Sequence, residues 1–189
     1  MSRFFDSAFK QLMYWEGGGR FHKVSGDTGG ATKYGISLRF LKNLPLDESD
    51  IDSDGHVTER DIAQLTEEKA RAFYLKNFWI HYQLGYVERE VIAIKLLNIF
   101  VNMRGRTSGR VAQRALASCH IHDVKEDGYL GPLSFAAINE ATCSPSLTAM
   151  YLCSLRAHQE GIYRLIVANN PKQEKFLSGW LRRARDQKY

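Results

Sequence analysis

Apolar residues recur at helical spacing along most of the chain, and glycine and proline cut the pattern into separate elements. Phe5, Ala8, Phe9, Leu12 and Met13 give residues 3–15 one apolar face, which predicts a first helix. Gly17, Gly18 and Gly19 stop it, because glycine takes the left-handed conformation that ends helices. Residues 17–36 are rich in glycine and read as a loop and a short hairpin. A short helix is expected over 37–43, stopped by Pro45, and residues 47–61 read as an acidic loop. Thr66 is a good N-cap for a helix over Lys69 to Phe78, and Glu67 and Glu68 suit its dipole. Further helices are predicted over 88–103, 108–118, 133–141 and 173–185. A long one is predicted over 146–168, with Leu147, Met150, Tyr151, Leu155, His158, Ile162 and Leu165 near one stripe. The balance is mainly α, with a small β-hairpin.

The hairpin lies next to candidate chemistry. Glu16 falls in the last turn of the first helix or just past it. The negative end of the helix dipole disfavours a structural carboxylate there. Tyr14 and Trp15 beside it can exclude water, a setting that suits a proton donor. Asp27 and Thr32 are the polar side chains expected to face it. Asp27 suits a general base or a stabiliser of an oxocarbenium-like transition state, and Thr32 suits orientation of a water. Asp27 equally suits a turn closed by its own backbone bonds, and Thr32 a strand position. Tyr34 is a candidate for stacking on a sugar ring.

The run Glu16-Gly17-Gly18-Gly19, seven further residues, then Asp27-Thr28-Gly29-Gly30-Ala31-Thr32-Lys33-Tyr34-Gly35-Ile36 resembles the N-terminal motif of glycoside hydrolase family 108. The family usually carries proline where this chain has Thr28. Residues 70–79, Ala-Arg-Ala-Phe-Tyr-Leu-Lys-Asn-Phe-Trp, are similar to the family's alanine-tyrosine-tryptophan helix, and Phe100-Val101-Asn102-Met103 to its next core helix. Asp127-Gly128-Tyr129-Leu130-Gly131-Pro132 and residues 176–183 look like the turn and terminal helix of the attached peptidoglycan-binding module. The resemblance implies a lysozyme-like helical fold with a small hairpin near the active site. It implies a muramidase that cuts the β-1,4 bond between N-acetylmuramic acid and N-acetylglucosamine, with Glu16 as the essential acid. The expected organisation is a catalytic region over residues 1–90 and a helical peptidoglycan-binding-like region over 91–189. A non-catalytic wall-binding or calcium-responsive module, and a lytic transglycosylase, are the alternative readings.

Residues 50–61 follow the calcium loop of an EF-hand. Asp50, Asp52 and Asp54 stand at loop positions 1, 3 and 5, Gly55 at 6, Thr58 at 9 and Asp61 at 12. His56 would offer its backbone carbonyl. The expected ion is structural; no cofactor is expected for catalysis.

The formal charge of +5 favours anionic partners such as the cell wall. No nucleic-acid motif accompanies it, so no nucleic-acid partner is expected. Its C-terminal part, Lys172, Lys175, Arg182, Arg183, Arg185 and Lys188, reads as a solvated face and tail. Cys119, Cys143 and Cys153 are an odd number without metal spacing and read as free thiols. The start of the chain does not read as a signal peptide and no run is long enough to span a membrane, so stable membrane insertion is not expected. The reading is a monomer made in the cytoplasm that reaches the wall after holin-type release or by specialised export.

Overall fold

The structure, a computed structural model, describes residues 3–23, 30–103 and 105–186. The elements in order are α1 (Phe5–Trp15), β1 (Thr32–Lys33), β2 (Ile36–Ser37), α2 (Leu38–Leu41), α3 (Leu46–Ser49), α4 (Glu59–Gln64), α5 (Glu67–Tyr74), α6 (Glu90–Met103), α7 (Gly105–Ala117), α8 (Pro132–Glu140), α9 (Pro145–Asn169) and α10 (Glu174–Ala184). The fold is mainly α, with one two-stranded antiparallel hairpin among the described residues, as the sequence predicts. The chain divides into two compact units, residues 9–76 and residues 1–8 with 77–189.

In the unit of residues 9–76, Phe9, Leu12, Ile36, Leu41, Ile62 and Tyr74 are buried. The Phe9 and Tyr74 rings lie 6.1 Å apart, and Phe40 meets Phe73 edge-on at 5.2 Å. Two short helices occupy ground that the sequence reads as acidic loop. Pro45 starts α3 with φ −54°, and its carbonyl accepts the N–H groups of Glu48 and Ser49. Thr58 and Asp61 form a capping box at the start of α4. Thr66 caps α5 through Lys69 N–H, as predicted, and the backbone runs on as a π-helical turn over Leu75–Ile80.

In the other unit, α6 is buried nearly all round, from Ile92 to Phe100. It packs on α7 and α9, and α9 packs on α7 and α10. The Ser108 hydroxyl donates to Ile99 O at 3.2 Å, and the Tyr151 hydroxyl to Ala112 O at 3.0 Å. Gln113 organises the turn before α8: its Oε1 accepts Gly128 N–H at 2.7 Å and its Nε2 donates to Tyr129 O at 2.9 Å. The buried stripe of α9 is Tyr151, Ser154, Leu155, Gln159 and Tyr163. It is rotated from the predicted one, leaving Leu165 mostly exposed, because polar Gln159 is buried in a hydrogen-bond network. Of the C-terminal cations, Lys172, Lys175, Arg182 and Arg185 are exposed, as the sequence predicts, and Arg183 departs. Arg183 is buried and donates to Asn98 Oδ1 at 2.8 Å, and Arg185 grips Glu160 with two bonds of 2.8 and 2.7 Å. Lys188 lies outside the described residues. Among the described residues no helix is long and apolar enough to cross a membrane.

Candidate active site

The end of α1 fixes Glu16. Its N–H donates to Leu12 O at 3.0 Å, so it continues the helical ladder by one bond. Gly17 then takes φ +74°, and Gly18 N–H donates back to Met13 O at 3.0 Å. This is a Schellman closure, with Glu16 at the cap position. Glu16 is half-buried, Trp15 likewise, and Tyr14 is exposed and meets Trp15 edge-on.

The hairpin supplies the facing surface. Thr32 pairs with Ser37 and Lys33 with Ile36, leaving Tyr34 and Gly35 as a two-residue turn. Their φ values are +52° and +75°, the signature of a type I′ turn. Asparagine usually holds the first position; a tyrosine there costs about 1–2 kcal/mol. Two bonds hold it in place. Tyr34 N–H donates to Gly18 O at 3.1 Å, and the buried Tyr74 hydroxyl donates to Tyr34 O at 2.9 Å. The turn is thus tied to the closure of α1 on one side and to α5 on the other.

This tie brings Gly35 to Glu16. A β-carbon built on Gly35 would stand 2.5 Å from Glu16 Oε2 and 2.7 Å from the Tyr74 hydroxyl. Only a glycine fits between them. Gly19 is restricted in the same way, since a β-carbon there would stand 2.6 Å from the Tyr34 hydroxyl. The half-buried Tyr34 ring therefore reaches back over the glycine run, with Lys33 Nζ 5.7 Å from its centroid.

Thr32 lies two residues before this turn. Its backbone exchanges two 2.8 Å bonds with His22, and its hydroxyl donates to Gly30 O at 3.5 Å, the outer limit of such a bond. Among the described residues no hydrogen bond links Thr32 to Glu16. Asp27 lies outside the described residues. Tyr74 is the site residue that sequence reasoning missed. Its ring fits the apolar pattern of α5, and nothing local signals that its hydroxyl holds a turn 40 residues away.

The acidic loop has its own geometry. Asp50, Asp52 and Asp54 bring carboxylate oxygens within 4.8 Å of one another, a spacing that one calcium ion with ligands at about 2.4 Å can span. Asp50 accepts Asp54 N–H at 3.1 Å and Gly55 N–H at 2.8 Å, and Asp54 accepts His56 N–H at 2.9 Å. Asp52 Oδ1 is buried without a hydrogen-bond partner. Burial, then the charges of Asp54 and Asp61, pushes the Asp52 carboxyl above its ordinary range. A cation would relieve both conditions, so these residues fit one. Asp61 stands outside the three-carboxylate group. It is fully buried, with Oδ1 accepting Ile51 N–H at 2.6 Å and Oδ2 accepting Thr58 N–H at 2.7 Å. Burial works against its charge, but the bonds from Thr58, Ile51 and Asp52 outweigh it and hold its carboxyl below the ordinary range.

Comparison with known proteins identifies the family. The profile of the family described as Glycosyl hydrolase 108 matches residues 9–104, just over half of the chain. A second profile, described as Predicted Peptidoglycan domain, matches residues 108–185. Among solved structures, that of Brucella abortus SagA is similar in fold, with a TM-score of 0.64 at 18% identity over 100% of both chains. No curated protein sequence matches. The chain belongs to the glycosyl hydrolase 108 family and, with its peptidoglycan domain, is a glycoside hydrolase acting on peptidoglycan.

Proposed function

We propose that this hydrolase cuts the β-1,4 bond between N-acetylmuramic acid and N-acetylglucosamine, with Glu16 as the general acid. The observation that carries the reading is the half-buried Glu16 carboxylate at the capped end of α1, against the Tyr34–Gly35 turn. An acid at a fixed helix end can deliver its proton to the leaving glycosidic oxygen, which is the step a sugar leaving group needs. Tyr34 offers a ring face to the apolar side of a sugar. Asp27 and Thr32 then steady the positive charge that develops on the ring, or orient the attacking water.

The test combines a variant with product analysis. Glu16→Gln keeps the shape of the side chain but removes the proton, and should abolish release of sugar ends from purified walls while the melting temperature stays close to that of the parent. Mass spectrometry of the parent's products should show reducing N-acetylmuramic acid ends. Anhydro ends would make the enzyme a lytic transglycosylase, and undiminished activity of Glu16→Gln would remove Glu16 from the mechanism.

We also propose that the loop of residues 50–61 holds a structural calcium ion through Asp50, Asp52 and Asp54, with the His56 carbonyl as a further ligand. Asp61 supports the loop from below through its backbone bonds. The unpartnered Asp52 Oδ1 is the observation that favours this reading.

A further inference from the structure

The helical unit contains a pocket of about 530 Å³, lined by the end of α6, the start of α7, the second half of α9 and α10. Its volume lies in the range of small-molecule sites. Among the described residues that line it, Asn102, Thr107 and Asn169 carry amide or hydroxyl groups.

Its aromatic wall is ordered. Trp180 stacks with Tyr163 at 5.3 Å and 28°, and with Phe176 at 5.8 Å and 27°. Tyr163 is buried, whereas Leu165 and Ile166 on the same helix are exposed at the pocket. An apolar face of this kind, left open by the rotation of α9, needs a reason.

The polar part is ordered from behind. Buried Lys95 donates to Gln159 Oε1 at 2.7 Å, Gln159 Nε2 donates to the Tyr163 hydroxyl at 3.0 Å, and that hydroxyl donates to Asn102 Oδ1 at 2.7 Å. Each link settles the orientation of the next. The chain ends by fixing the Asn102 amide with its oxygen turned to Tyr163, so its NH₂ group is left as a donor at the pocket.

We propose that this pocket is a glycan subsite that takes an N-acetylated hexosamine unit of the wall polymer. A pyranose ring has one face of C–H groups, which suits a tryptophan wall, and an edge of hydroxyl and acetamido groups, which suits amide donors and acceptors. The inference rests on the wall polymer being the ligand of this enzyme. It places a grip on the glycan where the end of α6, inside the glycosyl hydrolase 108 match, meets helices of the peptidoglycan domain.

The experiment uses the full chain carrying Glu16→Gln, with release of sugar ends followed alongside, so that residual cleavage, which would count against the acid assignment, is read separately from binding. Tri-N-acetylchitotriose is titrated in while the three indole N–H resonances are followed by NMR. The Trp180 resonance should shift, identified by its loss in Trp180→Phe. Sedimentation with purified walls should weaken about tenfold on adding Trp180→Ala, the scale of a lost aromatic anchor. Asn169→Ala, at an exposed position that folding does not depend on, should weaken it about threefold, the scale of one lost hydrogen bond. A Trp180 resonance unmoved by the trisaccharide, or wall binding by Asn169→Ala equal to the parent's, would overturn the proposal.

Discussion

The carboxylate of Glu16 lies against the backbone of Gly35, so closely that a methyl group on Gly35 would stand 2.5 Å from its Oε2. Helix end and hairpin turn are therefore fitted to one another through the smallest residue. Gly35 serves two needs at once, a φ of +75° and the absence of a side chain.

Gly35→Ala should accordingly damage both stability and turnover. The left-handed backbone alone costs an alanine about 1–2 kcal/mol. Displacement of the acid by an ångström should lower wall hydrolysis about a hundredfold. A thermal melt and a turbidity assay on purified walls measure the two effects.

Tyr74→Phe removes one oxygen from the core and leaves Tyr34 O without its donor. The expected loss is about 0.5–1.5 kcal/mol, the net contribution of one hydrogen bond at a part-buried carbonyl. Hydrolysis should fall less than in Glu16→Gln, since the acid itself remains. Chemical denaturation and the same turbidity assay check this.

Calcium should raise the melting temperature, because an ion bound by the folded chain alone stabilises it by mass action. Asp50→Ala should remove that rise. Differential scanning calorimetry with millimolar calcium, and again with chelator, is the measurement. No rise in the parent chain would end the assignment.

Lys95 predicts a pH dependence. Burial, then the neighbouring Arg156 and Arg183, pushes its ammonium down from 10.5 to about 7, against the opposing pull of Asp186 and Glu160. Between those two values the unfolded chain holds a proton that the folded chain lacks, so this group makes the fold more stable as pH rises from about 7 toward 10. Below about 7 both states are charged and the penalty is complete. The slope from this group is at most about 1.4 kcal/mol per pH unit. Cys119, whose thiol burial pushes up, acts in the opposite sense over part of this range. The difference in unfolding free energy between the parent and Lys95→Met, followed from pH 7 to 10, cancels that contribution and should show the slope.

Much of this arrangement is legible in the sequence. The apolar spacing of Phe5, Phe9 and Leu12 and the glycine run place Glu16 at a helix end, because both signals are local. The hairpin is legible for the same reason. What is hidden depends on contacts between distant residues. Tyr74 reads as core whether or not its hydroxyl holds Tyr34. The stripe of α9 is misplaced because Gln159 looks like a surface residue until Lys95 and Tyr163 are beside it. Asp61 reads as the twelfth residue of a calcium loop, and in the structure it serves the capping box with Thr58. That signal was also present, in a threonine followed three residues later by an acid.

The sealed end of α1 sets a rule for how relatives of this enzyme can drift. With the helix closed by Gly17 and Gly18, one residue inserted ahead of Glu16 would swing it by about 100° around the axis and carry it about 1.5 Å along. The buried stripe of Phe9 and Leu12 would stay where it is, and the Glu16 carboxylate would leave its place against the Tyr34–Gly35 turn. Length changes should therefore be purged from this segment and accumulate elsewhere, so that a gap-free first helix becomes a sharper mark of a working enzyme than the identity of most residues within it.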